Sequence, residues 1–111
     1  MDKMPVYYEV NLKVDRSIEL DTLRWLKKHI EEMEEIEGIL PNTQVFAQEG
    51  DCLQICVWYK FSNLTFYQRY INEQAVEMRG RLPKEFVEKI QFSRRLLIEY
   101  PLSNFSESSS L

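Results

Sequence analysis

The residues from Cys52 to Phe61 alternate between two kinds of side chain, and this alternation constrains the fold more than any other feature. The odd-numbered positions are apolar: Leu53, Ile55, Val57, Tyr59 and Phe61. The even-numbered positions are of mixed chemistry: Cys52, Gln54, Cys56, Trp58 and Lys60. A period of two with β-branched and aromatic residues predicts a strand, entered through a turn at Gly50-Asp51. One face of this strand needs an apolar cover, whereas the other matches neither a core nor an ordinary solvated surface.

Length and charge limit the classes of protein to which the chain can belong. Its 111 residues are 44% hydrophobic and 29% charged, which is typical of one globular domain with its own core. We expect this domain to occupy residues 1–101, followed by a serine-rich flexible tail at 102–111. The formal net charge of −4 argues against an electrostatic grip on nucleic acid or on an anionic membrane.

The first residues and the cysteines indicate a cytoplasmic protein. No apolar run is long enough to span a membrane, and the start of the chain lacks the apolar segment of a signal peptide. Cys52 and Cys56 lie on one strand with Cα atoms roughly 13 Å apart, whereas a disulfide needs about 4.4–6.8 Å. This separation also prevents the two thiols from sharing a metal ion, and the chain has a single histidine. We expect free thiols, no metal site and no organic cofactor.

Two further elements precede the organising strand. The alternation of residues 6–14 predicts a first strand, whose apolar side carries Val6, Tyr8, Val10, Leu12 and Val14. Asp15-Arg16-Ser17 ends that strand and begins a helix, which Gly38 ends. Helical spacing predicts that this helix buries Leu23, Leu26, Ile30, Met33 and Ile36. A short strand over residues 43–48 then forms a hairpin with the organising strand.

The remaining elements complete an α+β fold. Ser62 or Asn63 caps a second helix, which Gly80 ends or interrupts. Its predicted buried stripe is Leu64, Tyr67, Ile71, Ala75, Met78 and Leu82, with Phe66 and Tyr70 at the helix edge. A short turn from Pro83 then contributes Phe86 and Val87, and residues 91–100 form the last strand. The order β-α-β-β-α-β predicts a ferredoxin-like fold, in which two helices cover one face of a four-stranded antiparallel sheet.

In this topology the first and third strands are central, so their apolar sides form one face, the apolar face, under the helices. The opposite face, the mixed face, carries Tyr7, Glu9, Asn11, Lys13, Gln54, Cys56, Trp58 and Lys60. Gln44, Phe46 and Gln48 should extend it from the second strand. Whether Arg94 or Arg95 points this way stays open, because both parities of the last strand mix apolar and polar residues. Aromatic rings among amides and charges indicate that the mixed face contacts a partner or ligand.

A second copy of the chain is the first candidate for that contact, since two such sheets can close an eight-stranded barrel. Four segments carry a resemblance to a known family: residues 6–14, 25–30, 64–70 and 92–94. Together they resemble an uncharacterised family of short bacterial proteins, a domain of unknown function in the dimeric α/β-barrel superfamily. The resemblance spans Val6 to Tyr100 and implies a ferredoxin-like fold and a homodimer. It implies no activity.

The superfamily that this resemblance implies includes cofactor-free monooxygenases, haem-degrading enzymes and small isomerases. Its haem-degrading members use an asparagine, a tryptophan and a histidine. The present chain has Asn11, Trp58 and His29, but Asn11 and Trp58 face away from the helix that carries His29. The match is one of residue types only, and those roles are not transferred.

A small ligand is the second candidate. Trp25 and His29 are one helical turn apart and could line a cleft between the sheet and the first helix, with His29 as a general base. Glu9 and Asn11 could hold a substrate, and Tyr7 and Trp58 are further candidate ligand contacts. The alternative is structural: the Trp25–His29 pair as the edge of the core, and Glu9 with Asn11 as a dimer-interface network.

RNA is the third candidate, because aromatic residues on both central strands resemble an RNA-recognition sheet. The third strand lacks the glycine-aromatic pattern of such sheets, and the acidic charge opposes binding, so we expect no nucleic-acid partner. The glutamates between Glu31 and Glu37 form either a solvated helix face or a docking site for a basic partner. The sequence therefore predicts a homodimeric protein that binds a small molecule or a protein without catalysis. A cofactor-independent monooxygenase- or isomerase-type enzyme is the alternative.

Overall fold

A computed structural model describes residues 4–104, which form four strands and three α-helices. The elements in chain order are β1 (Val6–Val14), α1 (Glu19–Glu34), β2 (Gln44–Gln48), β3 (Leu53–Phe61), α2 (Leu64–Glu73), α3 (Ala75–Arg79) and β4 (Ile90–Ile98). The predicted strands are confirmed to within two residues at either end. No helix in this described range is long and apolar enough to cross a membrane.

The four strands form one antiparallel sheet in the order β2-β3-β1-β4. Strands β1 and β3 are therefore the central pair, as the ferredoxin-like topology requires. Their register sets Glu9 opposite Trp58 on β3 and opposite Arg95 on β4. This register decides which side chains share a face, because neighbours across paired strands point the same way. The predicted α+β, ferredoxin-like fold is confirmed.

The core lies between the apolar face of the sheet and the helices. Alternate residues of β1 and β3 are buried along their whole length, and Val14, Val57 and Phe61 are fully inaccessible. Tyr8 and Phe61 pack with Tyr70 of α2, at ring-centroid distances of 5.8 and 5.6 Å. The two central strands therefore supply most of the apolar surface that drives folding. By contrast, every residue of the edge strand β2 is exposed.

Helix α1 begins after Asp15 as predicted, but it ends at Glu34 rather than at Gly38, and it buries a different stripe. A single 3-10 turn, Arg16–Ile18, is capped by Asp15 and leads into α1, and Gly38 follows the helix with φ of +92°. Leu23 was predicted in the core and this is wrong, because its side chain is 41% exposed. Thr22 is buried in its place, so the helix presents Thr22, Leu26 and Met33 to the sheet. Leu23 lies about 100° further round the helix.

Gly38 is required where it stands because of its neighbour as well as its backbone. A Cβ atom at this position would overlap the Phe66 ring of α2. The positive φ is also unfavourable for any residue with a side chain. The close approach of these two segments brings the end of α1 against the start of α2, where Asn63 caps α2 by accepting a hydrogen bond from the Phe66 amide at 3.0 Å.

The second helical region differs from the predicted single helix. The helix is interrupted at Gln74, whose φ of −129° separates α2 from α3. Ala75 and Met78 beyond the break are buried as predicted, whereas Tyr70, predicted at the helix edge, is only 3% exposed and packs in the core. In the turn that follows, Phe86 is buried as predicted, but Val87 is 58% exposed and the prediction for it is wrong. The 3-10 turn at Lys84–Phe86 orients only one of the two side chains inward.

The predicted tail at 102–111 falls mainly outside the described residues. Its described part, Leu102–Asn104, forms one 3-10 turn after β4. The boundary between domain and tail therefore stays a prediction.

Candidate functional site

A cavity of about 130 Å³ lies between the apolar face and the helices. Helix α1 contributes Trp25 and His29, α3 ends at it with Arg79, and strands β3 and β4 add Tyr59, Phe92 and Arg94. These side chains converge because the apolar positions of β3 and β4 point toward the helices while Trp25 and His29 flank the buried stripe of α1. The wall is thus largely apolar, with both aliphatic and aromatic side chains and with two arginines in addition.

The rings of Trp25 and His29 stack against each other. Their centroids are 4.5 Å apart and their planes differ by 15°. The spacing of four residues places both rings on the same side of the helix, one turn apart. This contact holds the imidazole in a fixed orientation at the cavity wall.

His29 is a largely buried titratable side chain, and one of its ring nitrogens has no hydrogen-bond partner among the described residues. Its side chain is 13% exposed, and Nδ1 is fully covered without a hydrogen-bond partner in the described structure. The closest carboxylate oxygen, on Glu32, is 3.9 Å from Nδ1. Burial lowers the pKa of His29 below its ordinary value, the charge of Glu32 opposes this, and Arg81 and Arg94 reinforce it. The imidazole is therefore neutral at neutral pH, the form that can act as a base or accept a hydrogen bond.

A second polar centre lies on the other side of the sheet, around Glu9. The carboxylate accepts hydrogen bonds from Arg95 Nε at 2.6 Å, Trp58 Nε1 at 2.7 Å and Asn11 Nδ2 at 2.8 Å. Both Trp58 and Arg95 lie directly across from Glu9 in the strand register. The sheet itself therefore assembles this network, which we call the Glu9 network.

The Glu9 network keeps its carboxylate charged. Glu9 is 4% exposed, although the side chain of Arg95 above it is 66% exposed. The hydrogen bond from Arg95 is the main cause that lowers the pKa of Glu9 to about 2, with further lowering by Trp58 and Asn11. Burial opposes this shift. Because each oxygen already accepts from this chain, Glu9 is poorly suited to serve as a proton acceptor for a substrate.

Aromatic side chains surround the Glu9 network on the mixed face. Trp58 contacts Phe46 at 5.3 Å and Tyr7 at 5.9 Å between ring centroids, and the Lys60 amine lies 5.8 Å from the centre of the Tyr7 ring. Phe46 remains 46% exposed. A groove of about 550 Å³ runs beside this cluster, with Asn11, Phe46 and Cys56 among its walls.

The structure divides the predicted site residues into two groups. Trp25 and His29 lie together under the helices, while Tyr7, Glu9, Asn11 and Trp58 lie together on the mixed face. The sheet separates the groups, so His29 cannot act on the same ligand as Glu9 or Asn11. Any chemistry of His29 must use residues of the helix side.

With this geometry in view, comparison with known proteins places the chain in a family. Residues 5–100 match the family model described as "Domain of unknown function (DUF4286)". The chain belongs to the DUF4286 family. This confirms the resemblance to an uncharacterised family that four sequence segments carried. No curated protein shows significant similarity to the chain.

Solved structures similar to this DUF4286 chain share its fold at low sequence identity. A conserved protein from Methanosarcina mazei Go1 has a TM-score of 0.66 and 13% identity, over 89% of this chain and 96% of its own. A candidate antibiotic biosynthesis monooxygenase from Bacteroides thetaiotaomicron VPI-5482 has a TM-score of 0.62 and 16% identity, over 92% and 93%.

A dimeric ferredoxin-like protein from an uncultured marine organism has a TM-score of 0.53 and 16% identity, over 96% of each chain. Such distant likeness establishes the ferredoxin-like fold of the DUF4286 chain and nothing about its chemistry.

The sequence did not show on which side of the sheet three arginines of this DUF4286 domain lie. The register assigns Arg95 to the mixed face, where it binds Glu9, and Arg94 to the helix side. A signal for Arg95 was present, since opposite charges favour positions directly across a strand pair. Arg79 was not singled out, because it depends on where α3 starts after the break at Gln74. Within residues 4–104, no three histidine, cysteine or acidic side chains are placed to hold a metal ion.

Proposed function

We propose that this protein is a homodimeric binding module that takes a small molecule into the cavity beside Trp25 and His29 and does not transform it. We place it in the cytoplasm, where unpaired thiols such as Cys52 and Cys56 persist. The observation that carries the binding function is the stacked Trp25–His29 pair, with a neutral imidazole, in the wall of an apolar cavity.

The size and lining of the cavity support this function. A volume of about 130 Å³ is close to that of an engineered apolar cavity of about 150 Å³ that binds benzene. A buried polar atom without a partner carries a free-energy cost of about 1–3 kcal/mol. Nδ1 of His29 carries this cost in a covered position, so a ligand removes the cost only where the imidazole turns to meet it, whereas stacking on the Trp25–His29 pair needs no such movement.

The binding function is tested by following the indole Nε1–H resonances of Trp25 and Trp58 by NMR during titration with single-ring compounds. We expect ligands that shift the Trp25 signal and leave Trp58 unchanged, because the sheet separates the two rings. In His29→Asn the affinity should fall by about tenfold, the effect of losing one buried hydrogen bond. Lys28→Ala, an exposed change on the same helix, is the matched control. No shift of Trp25 with any compound would overturn the proposal.

The mixed face is the surface that we propose for dimerisation. Three of the four strands that form this face have nine residues each. The rise per residue and the spacing between strands then give the face an area of roughly 500 Å² per copy. Two such faces together bury about 1,000 Å², the lower limit for a specific interface. The solved structure described as a dimeric ferredoxin-like protein supports a dimer as such, without indicating the face that it uses. The Glu9 network supports it as well, because its carboxylate could be covered by a partner without losing its hydrogen bonds.

The dimer is tested by sedimentation equilibrium across a dilution series. We expect the wild-type chain to be a dimer and Phe46→Glu to be a monomer, because the new charge would lie within the apposed faces. Leu20→Glu, a comparable change at a 60% exposed position of α1, should remain dimeric. A wild-type chain that is monomeric at every concentration would overturn the dimer.

An enzyme of the cofactor-independent monooxygenase or isomerase type is the second candidate. It is favoured by the neutral imidazole of His29 in the cavity wall and by the likeness to a candidate monooxygenase. As a base, His29 would remove a proton from a bound ligand. Exchange of a ligand C–H for deuterium in D₂O, catalysed by the wild type and abolished in His29→Asn, would establish this function. Binding without exchange would leave the protein a binding module.

A further inference from the structure

The arginines of this chain divide into two groups by their charge partners. The sequence contains seven arginines. Five form ion pairs within 4.0 Å of a carboxylate: Arg16, Arg24, Arg69, Arg81 and Arg95. Arg79 and Arg94 form none with any carboxylate in the described part of the chain. Both line the cavity beside His29.

The two arginines are held in place without being neutralised. Arg79 Nη2 donates to the hydroxyl of Tyr8 at 3.0 Å, and the Arg94 guanidinium lies 4.9 Å from the centre of the Phe92 ring. A guanidinium carries five N–H donors, so each group keeps most of its donors free. Both residues line the cavity and are exposed overall, so the site is open to solvent on their side.

Glu32 and Glu34, whose charges act on the cavity wall, form no ion pair in the described structure with either of these two cations. Glu32 interacts with Arg81 at 3.5 Å, and Glu34 accepts hydrogen bonds from Thr43 Oγ1 and its amide at 2.6 and 2.9 Å. Burial is the main cause of the lowered pKa of His29, Glu32 opposes it, and Arg94 adds to it, so the charge of Arg94 acts at the cavity wall. In a chain with four more acidic than basic side chains, two unpaired guanidiniums at one cavity form a local exception.

We propose that the ligand of this cavity is a monocyclic aromatic carboxylate, whose ring occupies the apolar interior and whose carboxylate binds Arg79 and Arg94. The inner wall offers Trp25, Tyr59 and Phe92 to a ring, and the volume admits one six-membered ring. Guanidinium groups match the planar carboxylate with paired N–H donors. This inference rests on the proposed binding function and adds the chemical class of the ligand.

The test compares three probes by NMR titration at low ionic strength: benzoate, benzamide and acetate. Benzoate should shift the Trp25 indole resonance and bind at least about tenfold more tightly than benzamide, because charge-assisted hydrogen bonds are about twice as strong as neutral ones. Acetate should bind more weakly than benzoate, since it lacks the ring. Added salt should weaken benzoate more than benzamide, because the site is accessible from solvent.

Variants at the two arginines sharpen the test. In the described structure Arg94 forms no side-chain hydrogen bond that a substitution would break. Arg94→Gln should therefore reduce the affinity for benzoate by about tenfold and leave the affinity for benzamide unchanged. Arg79→Gln should act in the same direction, and the two-dimensional NMR spectrum shows whether it remains folded without its contact to Tyr8. Arg24→Gln, which removes an arginine paired with Asp21 on α1, is the matched control and should leave both affinities unchanged.

The outcomes separate this inference from the function on which it rests. If benzamide binds at the Trp25 resonance as tightly as benzoate, the carboxylate assignment is wrong and the binding module stands. If acetate equals benzoate, the ring assignment is wrong. If no aromatic probe shifts Trp25, the proposed binding function fails together with the inference. Unchanged benzoate affinity in folded Arg94→Gln would also overturn it.

Discussion

The two faces of the sheet bury titratable side chains in opposite ways. On the mixed face, Glu9 is 4% exposed and accepts hydrogen bonds from Arg95, Trp58 and Asn11. On the helix side, His29 has a covered Nδ1 with no partner in the described structure. Glu9 is kept ionised because its own chain supplies donors, whereas His29 is kept neutral because burial disfavours its charge.

This difference teaches that burial of a polar group does not by itself indicate a binding site. A carboxylate whose hydrogen bonds are complete behaves as part of the framework and can be covered by a partner at little cost. A buried nitrogen without a partner leaves free energy that a ligand can recover. The lowered pKa values of Glu9 and His29 therefore have different meanings, and only the second supports a ligand site.

The largest difference between the two faces is expected when one aromatic side chain on each face is truncated. Phe61→Ala on the apolar face should lower the free energy of unfolding by about 3–5 kcal/mol, because Phe61 is fully buried and the change leaves a cavity. Phe46→Ala on the mixed face should change it by less than about 1 kcal/mol in the monomer. Urea denaturation at low protein concentration measures both. Equal losses would show that the mixed face belongs to the core of each copy.

A smaller effect is expected for the charge of Glu9. Glu9→Gln should reduce the free energy of unfolding at neutral pH by about 1–2 kcal/mol, since hydrogen bonds to charged groups contribute about 1.5–3 kcal/mol and the exposure of Arg95 weakens its share. The pKa of Glu9 is about 2 in the folded chain and 4.5 ordinarily. Its contribution is therefore complete above about pH 4.5 and lost as pH falls toward 2.

Thermal unfolding of wild type and Glu9→Gln between those pH values measures this loss. The two proteins should differ in stability at neutral pH and converge in acid. Glu31→Gln, at an exposed position of α1, is the control and should follow the wild-type profile. Wild type and Glu9→Gln with parallel profiles would show that the Glu9 network does not hold the carboxylate in its charged form.

The smallest effect is expected for His29. Its folded pKa lies below the ordinary 6.5, so the unfolded chain takes up a proton more readily than the folded one. Stability is then unaffected above about pH 6.5 and decreases as pH falls below it. His29→Asn should remove this decrease and change stability near pH 7.5 by at most about 1 kcal/mol. Urea denaturation of both proteins near pH 7.5 and 5.5 tests this, and an unchanged slope in the variant would contradict it.

The fold could be predicted from sequence because the strongest patterns were also the central ones. Alternation along β1 and β3 set their faces, Asn63 marked the start of α2, and Gly38 marked the turn that follows α1. The errors concern the helices. Thr22 is small and polar, so a stripe chosen by hydrophobicity passed over it in favour of Leu23. Tyr70 was misplaced because it lies three residues after Tyr67 on the same helix, and the buried face of that helix is wider than the stripe that was chosen.

The candidate site was less predictable than the fold. The Trp25–His29 stack follows from spacing within one helix, which the sequence displays directly. The roles of Arg94 and Arg95 depend on the register of β4 against β1, which alternation could not settle because both parities mix apolar and polar residues. The lack of ion pairs at Arg79 and Arg94 depends on every carboxylate around them. That is a property of the assembled structure, which no local pattern contains.

The position of β1 between β3 and β4 has a consequence for how the protein folds. Val6 pairs with Phe61 on one side and with Ile98 on the other, so the first strand made is completed by the last. Contacts across such sequence separations form slowly, because long loops must close before any pairing is rewarded. During synthesis, one edge of β1 therefore remains unpaired until β4 has left the ribosome. In that interval the chain is most prone to aggregate.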